Sequence, residues 1–249
     1  MAEPEANDIM DKSGAVDIVD LGRLGYRAAY EQQVAHHAEV LAGRGAPRQE
    51  THPPAARVLV VEHDPVITVT RKAIAGGHVL GDPATLARLG VTLEETDRGG
   101  DVTYHGPGQA VVYPIVDLNR FGLRLHGYLR LLEQAVIDTI VEVGLAGQRD
   151  ADATGVWVPS SGSERAGELA KIAAIGVRVR KWVTLHGLAL NVAPDMSHFS
   201  LIVPCGLHGR PVTSIAAETN PPPPATQAIG HRVAEHVVRL LAECDRNTH

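Results

Sequence analysis

The run Lys171-Ile-Ala-Ala-Ile-Gly-Val-Arg-Val-Arg180-Lys-Trp-Val-Thr-Leu-His-Gly-Leu-Ala-Leu-Asn-Val192 decides the fold. Ile172 to Val179 and Trp182 to Val192 are rich in β-branched and aliphatic residues, and Arg180-Lys181 separates them, so the run reads as a β-hairpin. A hairpin joins antiparallel neighbours, whereas parallel strands need a crossover. Upstream, Arg57 to Glu62 and Val66 to Thr70 read as two strands separated by His63-Asp64-Pro65. Leu93 to Asp97 and Val102 to His105 are short strand candidates, and Gln109 to Asp117 is a stronger one whose Pro114 suggests an edge or a bulge. Helical spacing appears from Tyr26 to Leu41 (Tyr26, Tyr30, Val34, Leu41), in a short segment from Pro83 to Leu89, and from Leu125 to Val143. In the last of these, Leu125, Leu129, Leu132, Val136, Ile140 and Val143 form one stripe. Residues 159–168 form a polar loop, and Pro221 to Pro224 is a rigid spacer before a final helix from Ala225 to Cys244. Helices mixed with hairpin strands, without strict βαβ alternation, indicate an α+β fold. Residues 1–15 are expected to be a disordered lead-in, and residues 16–249 a single domain.

Composition narrows the function. With 249 residues, 44% of them hydrophobic and 21% charged, the chain has enough apolar material for a sizeable core. A net charge of −6 argues against general nucleic-acid binding. Cys205 and Cys244 are too few for a disulfide scaffold, the polar, acidic start lacks a signal-peptide pattern, and no apolar run approaches a membrane span. These features point to a cytoplasmic protein with no membrane partner.

Three places carry possible chemistry. Arg98-Gly-Gly-Asp-Val-Thr-Tyr-His-Gly-Pro-Gly-Gln109 holds four glycines and a proline in twelve residues, which suits close backbone approach to a ligand or a plain glycine-rich hairpin. It has neither Walker A nor Rossmann spacing, so phosphate cradling is unsupported. Lys171 opens an apolar strand, where a solvated charge is one reading. Cys205 lies between Pro204 and Gly206, a turn that presents a thiol, although a buried structural cysteine is the commoner reading of any one cysteine. A neighbouring ammonium would raise the thiolate fraction of Cys205. Activation by His186, His198 or His208 is a competing scheme, and a Cys205/His208/His198 metal site lacks regular ligand spacing.

The segment from Arg98 to Gln109 with Tyr113-Pro114, together with Lys171-Ile-Ala-Ala-Ile-Gly176, His186-Gly-Leu-Ala-Leu-Asn191 and Ile202-Val-Pro-Cys-Gly206, resembles the signature of the lipoyl(octanoyl) transferases. The motifs occur in the same order and at matching separations, across roughly residues 16 to 240. The resemblance implies the fold of biotin and lipoate protein ligases, a mixed sheet flanked by helices. It implies transfer of octanoyl from acyl carrier protein to a lysine of lipoyl domains, in 2-oxoacid dehydrogenase E2 subunits and the glycine cleavage H protein. This is the first step of endogenous lipoate synthesis and needs no cofactor or metal. Cys205 becomes the acyl-thioester nucleophile and Lys171 the residue that lowers its pKa. Acyl contacts carry over to Arg98, Gly99, Gly100, Asp101, Val102, Thr103, Tyr104 and His105, to Ala174, Ile175 and Gly176, and to Gly187, Leu188 and Ala189. A monomer is expected. The chain departs from the pattern at Thr70, where a glycine is usual, at Ala110, and in an enlarged loop at 159–168. An ATP-dependent ligase or a thioesterase on the same fold are the rivals. The ligase signature carries a serine that Arg98-Gly-Gly lacks, and a thioesterase would let water attack the acyl-enzyme.

Overall fold

The computed structural model describes residues 9–10, 16–44, 54–160, 168–203, 210–220 and 222–246, with backbone alone at 9–10 and 72–73. In chain order the elements are β1 (Ile9–Met10), β2 (Val16–Leu24), α1 (Tyr26–Ala42), β3 (Ala56–His63), β4 (Val66–Val69), α2 (Arg71–Gly76), α3 (Pro83–Arg88), β5 (Thr92–Glu95) and β6 (Val102–His105). They continue with β7 (Gln109–Val116), α4 (Leu125–Val141), β8 (Gln148–Arg149), β9 (Val156–Pro159), β10 (Leu169–Arg180), β11 (Val183–Asn191), a 3-10 helix (Met196–Leu201), α5 (Ile215–Glu218) and α6 (Thr226–Arg246). Eight strands form one sheet in the order β1-β2-β3-β7-β11-β10-β9-β8, and β5-β4-β6 form a second. Both are mixed: β2 runs parallel to β3, and β4 parallel to β5, among antiparallel neighbours. The class is α+β, as the hairpin reading implies. Most of the expected lead-in lies outside the described residues, but Ile9 and Met10 pair with Ile18 and Asp17.

Alternation along the central strands sends side chains to two cores. Val58, Val60, Ala110 and Val112 meet α4 and α6 through Tyr128, Leu132, Val136, Val233 and Val237. Leu59, Val61, Val111 and Tyr113 face the other way, toward α1 through Ala29 and Val40. A third cluster joins Ile67, Val69, Val102 and Tyr104 of the small sheet to Leu86, Val91 and Leu201. Among the described residues, no helix is long and apolar enough to cross a membrane.

Three local expectations need correction. The turn of the β10–β11 hairpin is Lys181-Trp182, one residue beyond Arg180-Lys181; both residues have positive φ (52° and 65°), as a primed hairpin turn requires. Helix α1 has the expected extent but buries a different face: Tyr26, Ala29, Gln33, His37 and Val40 point inward, whereas Val34 is 44% exposed. Likewise Leu125 at the start of α4 is exposed, and Tyr128 and Leu131 take the inward positions.

Pro114 sits on a central strand, not at an edge. Its missing N–H is accommodated because β7 and β11 pair directly only from Gln109↔Asn191 to Val112↔Leu188. Beyond that the Thr184 side chain stands in for the ladder: its Oγ1 accepts from the Val116 N–H at 2.8 Å and donates to the Pro114 carbonyl at 2.7 Å. The Tyr128 hydroxyl donates to the same carbonyl at 3.1 Å. A buried polar backbone group left by an interrupted ladder is thereby satisfied.

Candidate active site

The glycine segment leads from β5 to β6 and is pinned at both ends. The Arg98 guanidinium donates to the Thr68 hydroxyl at 3.0 Å and to the Gly99 carbonyl at 3.0 Å, while the Gly99 N–H donates to the Val177 carbonyl at 2.9 Å. A methyl on Gly176 would fall 2.7 Å from the Gly99 carbonyl oxygen, so the loop and β10 meet backbone to backbone. Along β6, alternate residues part company. Val102 and Tyr104 join the core of the small sheet, whereas Thr103 and His105 face a cavity between β6, β10 and β11.

That inner cavity has a volume of about 40 Å³. Of the positions carried over from the family pattern, Arg98, Gly100, Thr103 and His105 line it, as do Ala174, Ile175, Gly176, Gly187, Leu188 and Ala189. Gly99, Asp101, Val102 and Tyr104 do not; Asp101 instead accepts from His78 Nδ1 at 2.5 Å. Tyr26, Tyr113 and His186 complete the wall. A smaller space of about 20 Å³ continues from it past Thr103, Ala174 and Ala189 to Lys171. At the opposite end, Tyr26, Arg98 and Gly100 also border an open groove of about 790 Å³.

Lys171 is not a solvated edge charge. It is 7% exposed, the third residue of β10, held between β9 and the returning segment 211–213. Its N–H donates to the Pro211 carbonyl, and its carbonyl accepts from the Thr213 N–H, both at 2.9 Å. Its ammonium donates to the Thr154 carbonyl at 3.0 Å and lies 4.7 Å from the centroid of the buried Trp157 ring, partners suited to a cation. The buried Glu133 on α4 supports this wall: it pairs with Arg130 at 2.7 Å and accepts from the N–H of Gly155, next to Thr154. Cys205 and His208 lie outside the described residues. Cys244 is partly buried on α6, and burial pushes its thiol up, away from reactivity.

Beneath the cavity lies a set of buried rings, in which His63, outside every motif, joins Tyr113, His105 and His186 of the signature segments. His63 donates through Nδ1 to the Leu24 carbonyl at 2.8 Å, so its Nε2 accepts from the Tyr113 hydroxyl at 2.8 Å. Burial lowers the His63 pKa to about 4 and that of His105 to about 3, so both are neutral near pH 7. His105 donates through Nδ1 to Gln109 Oε1 at 2.6 Å, and Gln109 donates to Asn191 Oδ1 at 2.9 Å. Asn191 in turn donates to the Thr213 carbonyl at 2.9 Å, which ties the cavity floor to the segment beside Lys171. His186 donates to Asp97 at 2.8 Å; burial, then the charges of Arg98 and Arg178, lower its pKa to about 3. A histidine so acidic is a poor base at neutral pH. His198 bonds the Tyr104 hydroxyl at 2.8 Å, on the small-sheet side. Among the described residues, no group of acidic, histidine or cysteine side chains forms a metal-binding cluster.

The glycine of β11 explains one constraint on the cavity. A methyl at Gly187 would lie 2.2 Å from the Val112 carbonyl oxygen and 2.8 Å from Pro114 Cδ. Gly187→Ala is therefore expected to destabilise the protein by about 2–3 kcal/mol, because a packed backbone must move. Urea titration measures this, and a loss below about 0.5 kcal/mol would mean that β11 shifts freely.

The family model of the lipoyl protein ligase A/B catalytic domain matches residues 29–238. The chain belongs to this family. Within the lipoyl protein ligase A/B family it is similar to the octanoyltransferase of Chloroflexus aurantiacus, 43% identical over 90% of this chain and 91% of that one. It is also similar to the octanoyltransferase of Cytophaga hutchinsonii, 37% identical over 94% of this chain and 96% of that one. Among solved structures, a bipartite lipoate protein ligase from Thermoplasma acidophilum superposes with a TM-score of 0.60 at 16% identity, covering 93% of this chain and 83% of its own. A biotin protein ligase from Aquifex aeolicus gives 0.51 at 12% identity, covering 92% and 72%. These ligase likenesses are ones of fold, the mixed sheet flanked by helices.

Proposed function

We propose that the chain is an octanoyltransferase that moves octanoyl from acyl carrier protein to a lysine of lipoyl-domain proteins through an acyl-thioester on Cys205. The observation that carries this reading is the buried Lys171 amine at one end of a narrow cavity walled by the family's signature residues. The identity to named octanoyltransferases, 37% and 43% over nearly whole chains, supports transfer over ATP-dependent ligation. Residues 16–249 act as one catalytic unit, a cytoplasmic monomer.

The chemistry balances without an energy source. The Cys205 thiolate attacks the carrier thioester carbonyl, the bond to the carrier sulfur breaks, and Lys171 gives a proton to the departing thiolate. Lys171, now neutral, takes a proton from the acceptor amine as that amine attacks the acyl-cysteine. The amide forms, the Cys205 thiolate leaves, and Lys171 is an ammonium again. Ala174, Leu188 and Ala189 shelter the alkyl chain, and His105 and Gln109 stay neutral and hydrogen-bonded throughout. Arg71, Lys72, Arg178, Arg180 and Lys181 are proposed to meet the acidic carrier; Arg71 and Arg178 line the large groove, Arg180 and Lys181 do not, and the Lys72 side chain lies outside the described residues.

Intact-mass spectrometry after mixing with octanoyl-carrier protein tests the intermediate. One octanoyl mass, labile to hydroxylamine, is expected without ATP. It should vanish in Cys205→Ser and persist in Cys244→Ser. An adduct that survives in Cys205→Ser, or that requires ATP, overturns the proposal.

A further inference from the structure

We propose that Tyr26 sets the length of acyl chain the protein accepts, as the wall that closes the inner cavity at the end away from Lys171. The inference rests on the reading that acyl transfer occurs at the Lys171 end. Tyr26 is the first residue of α1, and its ring borders both the inner cavity and the open groove. It is 6% exposed and fixed on three sides. Its hydroxyl is 2.6 Å from Thr96 Oγ1. Its ring stacks on His105, 6.4 Å between centroids and 8° from parallel, and meets His63 edge-on at 5.6 Å. Rings held by packing and a hydrogen bond keep one rotamer, which is what a length stop requires.

The two sides of this wall differ in chemistry. Toward Lys171 the cavity is bordered by Ala174, Ile175, Leu188 and Ala189. Beyond Tyr26 the groove presents Arg27, Arg71, Glu95 and Asp97, with Arg71 bound to Glu95 and Arg178 to Asp97. An alkyl tail stopped by the ring stays against Ala174, Ile175, Leu188 and Ala189 and the neutral rings of His105 and His186, with Arg98 and Thr103 also in the lining. A longer tail would have to displace the ring and enter charged, wet surroundings, where each methylene loses the roughly fourfold gain in affinity that burial gives.

The test compares kcat/KM for carrier proteins bearing 6-, 8-, 10-, 12- and 14-carbon acyl groups. Tyr26→Ala joins the cavity to the groove, and the preference for octanoyl over dodecanoyl is expected to fall by about tenfold or more. Tyr26→Phe keeps the ring, so its preference should match the wild type. An unchanged octanoyl preference in a folded Tyr26→Ala overturns the assignment, as does an equal shift in Tyr26→Phe. Should Tyr26→Ala fail to fold, Tyr26→Leu shortens the wall with less loss of packing, and the same readout applies. Calorimetric binding of free octanoate against dodecanoate keeps the two readings apart. If the wild type transfers no octanoyl, the proposed activity fails. The wall fails if Tyr26→Ala leaves the ratio of the two affinities unchanged, whether or not octanoyl is transferred.

Discussion

Lys171→Met is expected to slow octanoyl transfer by about 10³-fold, the range seen when a positioned proton donor and acceptor is removed. Methionine keeps the unbranched apolar stem against Trp157 but loses the ammonium that donates to the Thr154 carbonyl. Exchanging a buried cation for an apolar side chain of similar volume leaves the fold largely intact, so circular dichroism and the urea midpoint should change little. The more telling readout is the pH profile of iodoacetamide alkylation at Cys205, which should move to higher pH in Lys171→Met. Arginine separates the two roles assigned to the lysine, because it keeps the charge and cannot give up its proton. Lys171→Arg should preserve fast alkylation yet impair single-turnover transfer to the acceptor amine. If the alkylation profile of Lys171→Met is that of the wild type, Lys171 does not activate the thiol.

Acid should unfold the protein unusually early. His63 titrates at about 4 and His105 and His186 at about 3 in the folded chain, against about 6.5 once unfolded. Their folded pKa values are lowered, so the unfolded chain takes up protons first as the pH falls. The stability tied to their neutral forms is complete above about pH 6.5 and is lost as the pH drops toward 4. Each contributes a slope of about 1.4 kcal/mol per pH unit, or about 4 kcal/mol for the three, against a total stability of about 5–15 kcal/mol. The interval from about pH 6.5 to 5 isolates the histidines, because most carboxylates there are still ionised. Urea midpoints measured across it should fall steeply, and flat midpoints would refute the assignment of three neutral buried rings.

Much of this architecture is written in local patterns. Strands β3, β7 and β11 and helices α4 and α6 follow from runs of Val, Ile and Leu at the right period, because these elements bury apolar faces. What escapes is decided by partners far away in the chain. Strand β2 carries Asp17, Asp20 and Arg23 among its apolar residues, which masks its alternation; Asp20 is held by Gln227 and His231 of α6, and Arg57 reaches Asp17. Pro114 argues locally for an edge, and the hydroxyls of Tyr128 and of Thr184, seventy residues on, make a central position tenable. At the site, the glycines, Tyr113-Pro114 and the residues of β6, β10 and β11 announce themselves as a motif. Tyr26, His63 and Trp157 do not, since each lies in an otherwise ordinary element and gains its role from the rings and cations that reach it. Burial of Lys171 was likewise invisible, because the strand and the 211–213 segment that cover it come from elsewhere in the chain.

The polar inner face of α1 also bears on how the cavity holds together. Gln33 accepts from the N–H of His186, and His37 donates to the carbonyl of Arg180, so the helix is fastened to the β10–β11 hairpin by directional bonds. Displacing α1 would strand the His186 N–H and the Arg180 carbonyl without these partners, strip Ala29 and Val40 from their core, and carry Tyr26 away with the helix. The wall of the cavity and the hairpin therefore stand or fall as one packed unit.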